Sequence, residues 1–156
     1  MHTIWHSLDI SLDTLNEVGE QTISQLLGIE FTEIGRDYLR ATMPVDERTK
    51  QPYGLLHGGA SVVLAETLGS AASALVIDQE KQICVGLDIN ANHVRAVSGG
   101  FVHGKATPLH IGSSTHVWDI RIHDDEERLV CVSRLTVAVL DRAVFQTPRR
   151  LPRKEA

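Results

Sequence analysis

The spacing of apolar residues changes period along the chain, and each change marks an element. Ser11 is a residue type that caps helix starts, and Leu12, Leu15 and Val18 after it fall on one helical face, which predicts a short helix ending near Gly19. Thr22 to Leu27 predicts a second helical turn closed by Gly28. Ile29 and Phe31, then Leu39, Ala41, Met43 and Val45, alternate with polar residues on either side of Gly35, the pattern of a two-stranded hairpin. Asp46 to Tyr53 is polar, contains Pro52 and reads as a loop. From Gly58 to Ile77 the chain is apolar on every side, which predicts a long helix buried all round. Period two then returns: Ile83, Val85, Leu87 and Ile89 form a packing face, and Cys84, Gly86, Asp88 and Asn90 a face of small or polar groups. Three more strands follow, Phe101–Thr107, Ser113–His123 and Leu129–Leu140, entered through turns at Gly99-Gly100, Pro108–Gly112 and the acidic Asp124–Glu127. Six strands and one long helix predict an α+β fold in which an antiparallel sheet wraps the helix.

Length then limits the organisation. A chain of 156 residues suffices for one packed domain, so residues 1–140 are expected to form it, with 1–28 as an N-terminal helical segment and 141–156 as a basic tail. Residues 1–140 carry 10 basic and 18 acidic side chains, the tail 5 and 2, and a body this acidic is no nucleic-acid binder. The long apolar run lacks aromatic or arginine anchors and is interrupted by a carboxylate, which argues against a membrane span. Cys84 and Cys131 lie in apolar strands, and no secretory signal opens the chain, so reduced thiols and a cytoplasmic location are expected. The eight histidines form no metal-ligand spacing, and no metal is expected. His103, His116 and His123 read as strand-surface residues, whereas His57, His93 (with Arg95) and His110 fall where loops gather.

Candidate chemistry begins with Glu66, the one charged residue between Gly58 and Ile77. An unpaired carboxylate in an apolar interior costs several kcal/mol or is protonated, so Glu66 is either a structural group with an internal partner or a reactive one. Gly58 and Gly59 leave the first helical N–H groups open, at the positive end of the helix dipole, where an oxyanion would be stabilised. Eight residues separate Gly58 from Glu66, about 12 Å along the axis at about 1.5 Å per residue, several times a catalytic contact of roughly 3 Å. If both act on one carbonyl, two antiparallel helices from two subunits must supply them. Ser70, one turn on, shares the face of Glu66.

Gln51-Pro-x-Gly-x-Leu-His-Gly-Gly-Ala-Ser61, followed by Ala65-Glu-Thr-x-Gly-Ser70, resembles the signature of hotdog-fold acyl-CoA thioesterases. Met43-Pro-Val-Asp46, Asn90-Ala-Asn-His-Val-Arg95 and Pro108-Leu-His-Ile-Gly112 extend the likeness to the bacterial branch that includes 1,4-dihydroxy-2-naphthoyl-CoA thioesterase, of menaquinone biosynthesis, and the enterobactin-pathway proofreading thioesterase. The 4-hydroxybenzoyl-CoA thioesterases with a helical carboxylate are relatives. The resemblance implies hydrolysis of an aromatic or other acyl-CoA, with Glu66 as nucleophile or general base, the Gly58 N–H polarising the carbonyl, Gln51 and His57 beside it, and Ser70 orienting water. It places coenzyme A contacts on Gly86, on His93, Val94, Arg95 and Ala96, and on His110, Ile111, Gly112, Ser113, Ser114 and Thr115. It implies no cofactor, and a dimer with shared sites that pairs into a homotetramer. Ala96 stands where relatives have proline, and the tail beyond Leu140 is added. Given the acidic body, the phosphates would need Arg95, Lys105, His110 or loop N–H groups from the neighbouring subunit. Two alternatives are a non-catalytic acyl-CoA binding module and a dehydratase of the same fold; the second lacks its His-Phe-Pro-like entry here.

Overall fold

The computed structural model describes residues 3–6 and 10–143. The expected basic tail, apart from its first residues, lies outside them. Helix α1 spans Leu12–Val18, with the Ser11 hydroxyl accepting the Thr14 N–H, and α2 spans Ile23–Leu26, capped by Thr22. Leu12 and Leu15 pack on the core as expected, but Val18 is exposed, because α1 covers only the edge of the sheet beneath its first turns. Gly28 follows with a positive φ of 68°, the left-handed step for which glycine is suited.

Strands β1 (Glu30–Ile34), β2 (Leu39–Pro44), β3 (Gln82–His93), β4 (Phe101–Ile111), β5 (Thr115–Asp124) and β6 (Leu129–Asp141) form one sheet in the order β1-β2-β4-β5-β6-β3, antiparallel throughout. Helix α3, Gly58–Val76, lies across its inner face. This is the wrapped α+β arrangement that the apolar pattern predicts. Leu64, Ala65, Leu68 and Ala72 of α3 join Leu39, Met43, Val102, Ala106, Trp118, Ile120, Ile122, Leu135 and Val137 in one core. Gly104 makes this approach possible, since a Cβ there would stand 2.5 Å from Leu68 Cδ1. Trp118 is fully buried and donates from Nε1 to the Ser73 hydroxyl at 2.7 Å, tying β5 to the helix.

Four expectations are corrected. Helix α3 is not buried all round in a single chain, because the sheet covers one face and leaves Val62, Val63, Glu66, Thr67 and Ser70 half-buried. In β3 a bulge between Gly86 and Asp88 reverses the alternation, so Cys84, Gly86, Ile89, Ala91 and His93 share the inner face while Val85 and Leu87 are exposed. Strand β4 runs through Pro108 to Ile111 instead of ending at Thr107, with a bulge between Pro108 and His110, a place where proline's missing N–H is tolerated. His116 is not a surface residue: it shares strand parity with Trp118, Ile120 and Ile122 and is 1% exposed.

The two edges of the sheet differ. At β1 the Asn16 side chain takes up the Phe31 N–H (2.8 Å) and carbonyl (3.2 Å), closing that edge from within the chain. The outer edge of β3, 12 residues long with Val85 and Leu87 exposed, pairs with no other strand among the described residues. Ser73→Ala is expected to lower stability by about 1–3 kcal/mol, because it strands the Trp118 N–H in the core; a denaturant midpoint unchanged from the parent would contradict this role.

Candidate active site

The chain reaches α3 through a tied loop. Thr49 Oγ1 donates to the Pro44 carbonyl at 2.8 Å, Lys50 pairs with Leu56 in a short bridge, and the His57 N–H donates to the Thr49 carbonyl at 2.8 Å. Gln51 lies in this bridge, its backbone N–H on Leu55 and its side-chain oxygen accepting from the Tyr53 N–H, so the carboxamide closes its own turn in the isolated chain. His57 is the N-cap of α3, with Nδ1 accepting the Gly59 N–H at 2.8 Å. That bond assigns the neutral ring's proton to Nε2, an outward donor. The N–H of Gly58, first in the helix, has no intrahelical acceptor.

His93, on the inner face of β3, lies against this helix start. A Cβ on residue 58 would stand 2.6 Å from His93 Nε2, so glycine is the residue that admits the contact. Beyond it the Val94 N–H donates to Val130, and the buried Val97 accepts the Leu56 N–H at 2.7 Å, which holds the segment with the exposed Arg95 and Ala96 beside the loop. Gln51, His57, Gly58 and His93 to Ala96 therefore form one group, at the N-terminal end of α3.

Glu66 heads a second group. Its carboxylate lies over Gly86, where a Cβ would clash with Oε1, and Ser70 donates to Oε1 across a long 3.4 Å. Burial pushes the Glu66 carboxyl above its ordinary range, and the Ser70 hydroxyl pulls it partly back. Register places Gly86, Val137, His116 and Ile111 in one cross-strand row, which leads to the β4–β5 turn. There the Gly112 N–H donates to the Thr115 carbonyl at 2.9 Å, Ser114 accepts from the Val139 N–H at 2.9 Å, and His110 packs over Gly112.

The structure thus brings the sequence-derived residues into two groups, not one. Their contacts on β3, His93 and Gly86, are seven residues apart, about 23 Å at about 3.3 Å per residue, so the two groups lie at separate places along the strand. Lys105 belongs to neither, because it points from the outer face of the sheet and its ammonium lies 4.1 Å from the centre of the Tyr38 ring. Cys84 lies on the inner face two residues before Gly86, but burial pushes its thiol up to about 11, which keeps it protonated and unreactive at neutral pH. Concavities of about 530 Å³ between α1, α2 and β1, and 540 Å³ beside the end of α3, include neither Glu66 nor Gly58. The histidine whose place the sequence reading missed is His116, and its parity with Trp118 and Ile120 was the available signal.

Comparison with known proteins identifies the family. Residues 53–131 match the thioesterase superfamily. The chain is 56% identical to 1,4-dihydroxy-2-naphthoyl-CoA hydrolase of Escherichia coli over 84% of its length and 96% of that protein. It is 51% identical to the proofreading thioesterase EntH of Cronobacter turicensis, over 84% and 95%. Among solved structures, a mutant of thioesterase PA1618 from Pseudomonas aeruginosa superposes with a TM-score of 0.87 at 48% identity, covering 89% of this chain and 99% of that one. Thioesterase HI1161 from Haemophilus influenzae does so at 0.86 and 47%, covering 89% and 96%. With its antiparallel sheet wrapped on a central helix and these relatives along most of its length, the chain belongs to the thioesterase superfamily and is a hotdog-fold thioester hydrolase.

Proposed function

We propose that this enzyme hydrolyses aromatic acyl-CoA thioesters, of the hydroxynaphthoyl or hydroxybenzoyl kind, in a site that two chains complete together. The observation that carries the reading is the division of its chemistry: a half-buried carboxylate over Gly86, and a donor end at Gly58 about 12 Å along the same helix. Two chains joined antiparallel along the open β3 edge would set each Glu66 against the other's helix start. The exposed Val85 and Leu87 on that edge support the pairing, and a dimer of such dimers is the assembly proposed. Residues 1–140 would act as the single catalytic domain, in the cytoplasm, with the basic tail outside it.

In this site the thioester carbonyl accepts the Gly58 N–H, and His57 and Gln51 of the same chain lie beside it. As nucleophile, Glu66 adds to the carbonyl carbon and expels the thiolate, and water then cleaves the resulting anhydride; as base, it takes the proton of a water held by Ser70 while the hydroxide adds. Either course ends in free acid and thiol. The coenzyme A portion would run along His93–Ala96 of one chain and His110–Thr115 of the other, with Gly86 beneath the carboxylate. Release of free thiol from a panel of aryl and fatty acyl-CoAs tests the reading and ranks the substrates.

Three outcomes follow from this geometry. A carboxyl raised on folding adds stability below its unfolded range and loses it as pH rises through the folded value, so the Glu66 charge is a burden at neutral pH. Glu66→Gln should therefore melt no lower than the parent at pH 7, yet lose about a thousandfold or more in kcat/KM, about 4 kcal/mol in barrier. Near-parental turnover in that variant would sink the mechanism. Ser70→Ala removes the contact that lowers the Glu66 carboxyl, so the acid limb of kcat/KM against pH should move to higher pH; a limb that stays put argues against Glu66 as the titrating group.

Mixing tests the shared site. Glu66→Ala and Gly58→Pro homodimers should both be inactive, the second for want of the N–H donor. Re-mixed heterodimers should regain up to about half of a parental dimer's activity, because one site collects both defects and the other none. Gly58→Ala is the control, since it meets the same His93 ring but keeps the donor. Heterodimers that form and stay inactive would exclude the shared arrangement.

A further inference from the structure

The face of the sheet turned away from α3 carries charge that the thioester chemistry does not use. Register places Arg40 of β2, Lys105 of β4 and Arg121 of β5 directly opposite one another in one cross-strand row on this outer face. They are three of the ten basic side chains in residues 1–140, gathered in a body that carries 18 acidic ones. Like charges directly opposite each other destabilise a sheet, so folding alone does not favour such a row. Neighbouring groups fix the cations without using up their donors. Arg40 Nε stands 3.4 Å from Glu33 Oε2, and Arg121 Nε donates to Asp119 Oδ2 at 3.0 Å. The terminal amino groups of both guanidiniums have no acceptor among the described residues. Lys105 has no carboxylate partner among them; its ammonium lies 4.1 Å from the centre of the Tyr38 ring, which restrains the side chain and leaves its charge uncompensated.

A concavity of about 230 Å³ opens at this row, lined by all three cations and by the directly opposed pair His103 and His123. Two carboxylates, Asp119 and Glu127, also line it, and Asp119 is already engaged by Arg121. At about 30 Å³ per water the space holds roughly eight waters, which suits a small oxyanion and excludes a helix about 10 Å across. Arginine presents a planar fork to pairs of oxygens and lysine adds a point charge, a combination suited to phosphate groups. A single carboxylate would satisfy one of these cations, whereas a diphosphate has the charge and the oxygens for all three. We propose that the outer face of the sheet holds a binding site for a phosphate-bearing polyanion of the diphosphate class, formed by Arg40, Lys105 and Arg121. Helix α3, with Gly58 and Glu66, lies against the opposite face of the sheet, so this site is separate from the one proposed for the thioester and does not depend on that reading.

The test is titration of sodium diphosphate into the intact protein, followed by calorimetry at about 0.15 M ionic strength, where a Debye length of about 8 Å screens loose attraction to exposed charge. One diphosphate per chain should bind. Arg40→Ala, Lys105→Ala and Arg121→Ala should each weaken binding about tenfold, the scale of one lost charge-assisted hydrogen bond. Arg121→Lys keeps the charge without the fork and should weaken it less than alanine does. Diphosphate affinity should be unchanged in Arg95→Ala, which alters the other face. In proton–nitrogen correlation spectra of the parent, the amides of Gly104, Lys105 and Arg121 should shift on titration, a readout that needs no variant to fold. ADP in place of diphosphate distinguishes the source of the phosphates: affinity no higher than for diphosphate marks a site for the phosphate groups alone, and higher affinity marks a nucleotide. A parent protein that binds neither anion, or binds them only at low salt, would overturn the proposal. So would binding that Arg95→Ala abolishes and the three outer-face variants leave intact, since the anion would then occupy the thioester site.

Discussion

The close approach of Glu66 to the backbone of β3 is the constraint on which the rest of the molecule depends. A carboxylate on a helix this apolar can be kept only where the opposing strand leaves room for it, and Gly86 does so by lacking a side chain. Register alone would not bring a glycine to that place. The bulge after Gly86 lets it share the inner face with Ile89 and His93, so one strand both receives the carboxylate and reaches the helix start. The same pattern recurs at Gly58, where the missing Cβ admits the His93 ring. Two glycines thus admit the two side chains that β3 and α3 share.

Partial burial has an energetic sign that matters for function. The Glu66 carboxyl is raised by desolvation and only weakly offset by the long contact to Ser70, so the folded chain bears a cost at neutral pH that a neutral side chain would avoid. Such a cost fits the catalytic role proposed for Glu66, since perturbed carboxylates gather at functional sites. His116, with a buried nitrogen left without a partner, also bears a cost, and it lies in the same cross-strand row as Gly86.

The two sheet edges differ in how far they are covered. Asn16 closes β1 by bonding to both polar groups of Phe31, whereas among the described residues the outer edge of β3 has no pairing strand and Val85 and Leu87 are exposed. Helix α3 is likewise covered on one face and half-open on the other. Both open surfaces adjoin Glu66 and His93, so the surfaces left uncovered are those that carry the candidate chemistry.

Much of this was legible in the sequence, because local geometry is nearly independent of context. Apolar spacing predicts the element order and the wrapped helix, Ser11, Thr22 and Gly28 mark the ends of α1 and α2, and the rise of a helix separates Gly58 from Glu66 before any contact is known. The choice of face in β3 was not legible. Alternation shows which residues share a side of a strand, but a single bulge reverses that side, and its position is decided by pairing with β6, far away in sequence. For the same reason Val85 and Leu87 are exposed where the pattern alone would bury them. Tertiary packing also decided that His116 lies inside and Lys105 outside, and that His93 meets Gly58, since each depends on cross-strand register and on which side the helix covers.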